Sequence, residues 1–163
     1  MDIILLQIAT IKGNCDIKGH EAQIILQSFN HSVSIPMQMD RANIERTAGR
    51  PNFSELSFSK SSDVSTPSLY SACVSGAKLG DATIHIGRTE AKVFMSLFKY
   101  VLSNAMVSSV STSGGGGQPS DSFTLNYTMI VQVYTQQKED SNVKGSAGFG
   151  WDLIKNEDAS PPA

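Results

Sequence analysis

Cysteine is scarce in this 163-residue chain, with Cys15 and Cys73 the only two. Two thiols cannot make a disulfide framework, so the fold is expected to hold by packing alone in a reducing cytosol. Charge of one sign is missing too. Thirteen basic against 15 acidic residues leave a net charge of −2, and Lys and Arg never cluster beyond pairs. That balance gives no ground for expecting nucleic acid or an anionic membrane as partner. Nothing approaches the ~20 consecutive apolar residues of a membrane helix. The run from Ile3 to Ile8 is apolar but short, and Asp2 precedes it in place of a basic cluster. It reads as a first strand and not as a signal core, so any export is expected by a route without a cleaved signal.

Catalytic signatures are absent as well. The three histidines, His20, His31 and His85, sit in no recognisable acid–base or nucleophile arrangement. There is no Gly-x-Ser-x-Gly elbow, Walker loop, dinucleotide fingerprint or zinc pair. Cys15, Asp16, His20 and Glu21 lie near one another, but their spacing matches no zinc pattern. The glycines at 114–117 precede no Lys-Ser or Lys-Thr, so they make a flexible hairpin connection and not a phosphate loop. Carboxylates are dispersed, which leaves a glycosidase-like pair without support. Asn126-Tyr127-Thr128 fits a glycosylation triplet but falls inside a predicted strand. No enzyme activity, cofactor or metal is expected.

What the chain has is alternation. From Asp121 to Tyr134, Phe123, Leu125, Tyr127, Met129, Val131 and Val133 take every second place, with Ile130 the one apolar residue out of phase. This predicts one strand of roughly 40 Å with a buried and a polar face. Ala22 to Ile35 predicts a second, with Ile25, Phe29, Val33 and Ile35 on one face and Ser28, Asn30, Ser32 and Ser34 on the other. His31 falls on the apolar face, where a hydrogen-bonded core or seam histidine is expected. Phe53 to Lys60 places Leu56 and Phe58 inward, Ser57 and Ser59 outward.

One helix is expected, with Thr66 as N-cap, Pro67 at the first helical position, Leu69, Ala72 and Cys73 on the packed face and Gly76 as the stop. Ala82, Ile84 and Ile86 mark a further strand, Val93 to Val110 more extended chain, and Gly148 to Lys155 a last strand with the only Trp, Trp151. Met37 to Arg50 shows no clean period. Long aperiodic connections tend to be functional; here the residues leave open an adaptable contact surface or an insertion without a role. The total of about eight strands and one short helix predicts a mainly β fold, an antiparallel barrel or sandwich. One domain is expected over 1–158, with a frayed tail over 159–163. From these features alone the chain is a binding or assembly module.

Six stretches in order go further: Lys18-Gly19-His20-Glu21, the run from Gly49 to Lys60, Ser65-Thr66-Pro67-Ser68-Leu69 followed by Ala72-Cys73, Val107 to Ser111 ahead of the Gly-rich turn, Ser122 to Tyr127, and Gly150-Trp151-Asp152. Together they resemble the hemolysin-coregulated protein (Hcp) family of bacterial type VI secretion systems, from about Asp2 to Asn156. The resemblance implies a structural protein. It would be a homo-hexamer whose rings stack into an inner tube, surrounded by a contractile sheath and tipped by a spike protein, with small protein effectors in the lumen. It implies a cytoplasmic protein before firing and a secreted one afterwards, with no membrane insertion. On that reading Ser28, Asn30 and Ser32 line the lumen. Met37, Met39, Asp40, Arg41, Ile44, Glu45 and Arg46 form the ring-stacking loop. At Phe29-Asn30-His31-Ser32 the chain departs from the family, where aromatics are usual. The alternative is a monomeric ligand-binding β domain.

Overall fold

The computed structural model describes residues 2–40, 42, 45–91, 93–137 and 143–160. The chain opens with β1 (Asp2–Ile8), then β2 (Ile24–Leu26), β3 (Ser28–Asn30) and β4 (Val33–Ser34). Next come β5 (Met37–Asp40), β6 (Glu45–Ala48), β7 (Asn52–Phe53), β8 (Leu56–Ser61) and the helix α1 (Ser65–Ser75). The second half holds β9 (Ala82–Glu90), β10 (Val93–Ser103), β11 (Met106–Ser113), β12 (Ser120–Asn126), β13 (Met129–Gln137), β14 (Val143–Asp152) and β15 (Glu157–Asp158). Seven strands form one sheet in the order β15-β14-β13-β10-β9-β1-β2, and four form another in the order β11-β12-β8-β3. β4 pairs with β7 and β5 with β6 in two small sheets. The expected mainly β sandwich with one short helix is what the chain builds, although shorter and more numerous strands divide it.

The core lies between the two larger sheets, because both point their apolar rows at it. Leu6, Ile24, Ile84, Leu102 and Ile130 come from the seven-stranded sheet, and Leu56, Phe58, Phe123 and Leu125 from the four-stranded one. Leu69 and Ala72 of α1 close the side. The helix starts at Ser65 and not at Thr66: the Asp63 carboxylate accepts the Ser65 amide at 2.9 Å, while Thr66 sits inside the first turn. Thr66 is drawn there because its hydroxyl serves a buried carboxylate. Gly76 does end the helix, at φ 62 in the left-handed region that only glycine enters freely.

Two expectations on the long strands fail for one reason: the chain changes sheets where the pattern changes phase. The predicted strand from Asp121 to Tyr134 is two strands, β12 in the four-stranded sheet and β13 in the seven-stranded one, with Tyr127 and Thr128 as the corner. Phe123, Leu125 and Tyr127 are buried as expected, but beyond the corner Ile130 is fully buried while Met129, Val131 and Val133 are only partly so. Likewise β2 belongs to the larger sheet and β3 to the smaller, joined at Gln27. Ile24 and Leu26 are buried there, and Ile25, Val33 and Ile35 are exposed, the reverse of the predicted face. Ala159 and Ser160, expected in the frayed tail, both hydrogen-bond to Gly150; residues 161–163 lie outside the described residues.

Candidate functional site

The four-stranded sheet turns a flat polar face away from the core. Registry makes it a lattice of hydroxyls. Ser28, Ser59, Ser122 and Ser111 stand side by side in one row across β3, β8, β12 and β11. The next row is Asn30, Ser57, Thr124 and Ser109, and a shorter one is Ser61, Ser120 and Ser113. The rows exist because the strands alternate, as Ser57 does between Leu56 and Phe58 and Thr124 between Phe123 and Leu125, and the same alternation on neighbours stacks like with like. Between them is a shallow depression of about 300 Å³, whose lining includes no charged residue.

Three pairs of these hydroxyls bond across the strands. Ser28 Oγ and Ser59 Oγ are 2.6 Å apart, Ser109 Oγ and Thr124 Oγ1 2.7 Å, and Ser113 Oγ and Ser120 Oγ 3.3 Å. A bulge between Val107 and Ser109 brings Ser108 onto the same Thr124 hydroxyl. One charge borders the face. Glu55, two residues before Ser57 and so on the same side of β8, accepts Ser108 Oγ at 2.5 Å and Asn126 Nδ2 at 3.3 Å. The Ser108 hydroxyl, seconded by Asn126, holds its carboxyl below the usual range and keeps it ionised.

Of the predicted lumen residues, the structure brings Ser28 and Asn30 into this face. Ser32 is not part of it. It lies beyond β3, where its amide donates to Ser54 Oγ at 2.9 Å, because the chain leaves the sheet after Asn30. Sequence reasoning missed Ser109, Ser111 and Ser122 as members of one face, and it read Ser57, Ser59 and Thr124 as outward without joining them to Ser28. The signal was present as polar alternation in four segments, but pairing order is needed to assemble it.

Behind the face, two polar clusters fix the sheet. Lys60 and Asp121 are neighbours on β8 and β12 and point inward, both fully buried. Lys60 Nζ donates to Asp121 at 2.8 Å, Asp63 at 2.9 Å and Thr66 Oγ1 at 3.1 Å, which uses all three of its protons. Asp121 also accepts from Thr66, Ser62 and Thr112. Burial alone would raise the Asp121 carboxyl; these donors, Lys60 foremost, reverse that and hold it at about 2. The second cluster is at the sheet-changing corner. Tyr127 Oη donates to the Ser54 carbonyl at 2.8 Å, and His31 Nε2 lies 2.8 Å from Tyr127 Oη. With its only proton committed to Ser54, Tyr127 Oη accepts, so His31 carries its proton on Nε2. His31 is the hydrogen-bonded seam histidine that was expected, and burial lowers its pKa.

The segment read as an aperiodic loop is a hairpin. Met37 pairs with Ala48, Gln38 with Thr47, Met39 with Arg46 and Asp40 with Glu45. Its base is pinned where the Gly49 amide donates to the Pro36 carbonyl at 2.8 Å, and a Cβ on Gly49 would meet the Pro36 ring at 2.7 Å. Short strands with polar partners mask the period. Met37 and Met39 are 59% and 64% exposed and continue an exposed apolar line from Val33 and Ile35. Arg46 is exposed too; Arg41 and Ile44 lie outside the described residues. Among the described residues no three His, Cys, Asp or Glu side chains converge to hold a metal.

The whole arrangement has counterparts. A family model described as "Type VI secretion system effector, Hcp" matches residues 5–134. Protein hcp1 of Pseudomonas aeruginosa is 32% identical over 156 residues, covering 94% of this chain and 96% of that protein. A solved structure of a type six secretion system protein superposes with a TM-score of 0.87 at 20% identity, covering 97% of this chain and 99% of that one. Hcp1 from Salmonella typhimurium gives 0.78 at 21% identity, with 96% and 98% covered.

Proposed function

The chain belongs to the Hcp family of type VI secretion proteins, and from there we propose that it is the building block of the system's inner tube. Copies join as hexameric rings, the rings stack, and the tube leaves the cell when the surrounding sheath contracts, carrying small effectors in its lumen. It is a structural part and not an enzyme. One observation carries the reading: the similarity to Protein hcp1 covers 94% of this chain and 96% of that protein.

Three features of the geometry support association, a lumen and stacking. β11 and β3 end one sheet and β15 and β2 the other, and terminal strands present backbone groups that a neighbouring copy can pair or cover. The hydroxyl face suits a wet wall, since it is polar, exposed and lined by small uncharged side chains, so on this reading Ser28, Asn30 and their rows line the lumen. The β5–β6 hairpin suits stacking. Its exposed methionines are adaptable apolar anchors, and Arg46 beside Met39 can set the angle between rings. Each hairpin contact is small, but repetition around a ring multiplies it.

Sedimentation of the purified protein tests the assembly, with a ring expected several times heavier than 17.5 kDa. A 17.5 kDa species at all concentrations would leave the monomeric ligand-binding reading. Asn30→Arg tests the wall: rings should persist while effector retention changes. Loss of rings in that variant would move the face to a subunit seam. Replacing residues 40–46 with a glycine bridge should leave single rings and abolish tubes.

A further inference from the structure

The hydroxyl face is uncharged except at one end, and that asymmetry has a consequence for what it takes. Resting on the lumen reading above, we infer that the face receives protein cargo through a basic segment, with a Lys or Arg of the partner seated on Glu55 and uncharged contacts along the serine rows. Glu55 is exposed, yet its carboxylate is oriented by Ser108 and Asn126, both neutral donors. Among the described residues no basic side chain pairs with it: the ion pairs present join Lys60 to Asp63 and Asp121, and Lys155 to Glu157. Among the described residues, then, its charge has no counterion. Two oxygens that each accept one neutral donor still have lone pairs to offer, and an ammonium or guanidinium is the complementary group.

The rest of the face sharpens this selectivity. The donors around the depression are all neutral, serine and threonine hydroxyls and the Asn30 amide, so an anion finds hydrogen bonds there but no cation. The depression itself is lined by no charged residue. The buried Lys60 is no exception, since its three donors are spent inside the sheet. An acidic segment thus meets one fixed like charge and no compensating cation, whereas a basic one meets its counterion. A single exposed pair is weak, a few-fold in affinity, but a ring repeats it around the lumen. Glu55 lies at the Asn126 end of β12, remote from the row of Ser61, Ser120 and Ser113, so cargo would also bind in one orientation along the axis.

The test uses the full chain and two synthetic peptides of equal length and identical uncharged residues, one with three lysines and the other with three glutamates. Fluorescence anisotropy is read at 50 and 300 mM salt, with sedimentation on the same samples. The basic peptide should bind at least several-fold more tightly at low salt, and the difference should shrink at high salt as screening shortens to a few ångströms. Glu55→Gln keeps the side chain's length and one acceptor oxygen, which Ser108 can use, and should erase the preference without changing the assembled mass. Ser57→Lys, which places a cation two residues along the same face, should erase it too. Equal binding of the two peptides by the unmodified protein overturns the inference, as does a preference that survives Glu55→Gln. A monomeric mass would overturn the ring reading alone, because the peptide comparison decides Glu55 in either state.

Discussion

The two faces of the four-stranded sheet are made by the same strands and behave as different materials. Inward, β8 and β12 align Leu56 with Leu125, Phe58 with Phe123 and Lys60 with Asp121. Outward, one residue away, Ser57 meets Thr124 and Ser59 meets Ser122. The inner row is buried, so each group depends on a particular partner: an apolar one needs filled space, a charged one needs its counterion. The outer row is wet, and water can replace any partner it loses. One face therefore fixes the fold and the other is free to be shaped by what it contacts. Variants that treat the two rows alike should expose the difference.

The largest loss is expected at Lys60. Lys60→Ala leaves the Asp121 carboxylate buried without a cation and should cost about 3–5 kcal/mol. Replacing both partners by apolar residues, as in Lys60→Met with Asp121→Leu, should recover most of that. Urea midpoints at one fixed protein concentration check it, since assembly adds to apparent stability. If the double variant is as weak as the single one, hydrogen bonds to Thr66 and Ser62 matter more than the charge pair. Next is Leu125→Ala, which opens a void between the sheets and should cost roughly 2–5 kcal/mol. A loss well below that range would mean the two sheets close over the gap.

Acid should separate two groups by window. Burial, with the charges of His20 and Lys99 adding to it, holds His85 at about 4 in the folded chain, against 6.5 for a free imidazole. The unfolded chain then takes up a proton that the folded one refuses, so stability falls as pH drops from 6.5 toward 4. Asp121 acts lower. Its carboxyl is at about 2 folded and 3.8 unfolded, so its stabilisation is complete above that upper value and is lost on acidification toward the lower. The loss is roughly 2 kcal/mol. His85→Gln should flatten the upper limb of the stability profile and Asp121→Asn the lower. A profile whose upper limb is unchanged in His85→Gln would assign that slope to His31.

The chain's alternation made much of this legible before any coordinates. Leu56, Phe58, Phe123 and Leu125 as core, Ser57 and Thr124 as outward, and one helix ended by Gly76 follow from spacing and local chemistry. Periodicity is blind to which sheet a strand joins. That is why Phe123 to Val133 read as one strand, although the chain turns at Tyr127 and Ile130 becomes the buried residue. The same blindness hid the site, since Ser28 and Ser111 are one row only when β3, β8, β12 and β11 are known to be neighbours. Lys60 and Asp121 were readable in principle. Both are in phase with the apolar positions of their strands, and opposite charges in phase on two strands are a pairing signal.

The smallest effect should come from the outer row, and it tests the comparison most directly. Ser59 Oγ and Ser28 Oγ are 2.6 Å apart, a shorter contact than any made by Lys60. If contact geometry set the energy, Ser59→Ala would rank with the core variants. It should not, because the pair is exposed: Ser28 can turn its hydroxyl to water when its partner is removed, and only the difference between two good hydrogen bonds is lost. The methyl of alanine fits the same strand position and faces solvent without crowding. The expected change in stability is within about 0.5 kcal/mol, against several for Lys60→Ala at the next residue along β8. Denaturant midpoints of the two variants in parallel decide it. A loss above about 1 kcal/mol for Ser59→Ala in the assembled protein, absent from a dissociated one, would show that the outer row is dry in the ring, and the wet wall would then have to lie elsewhere.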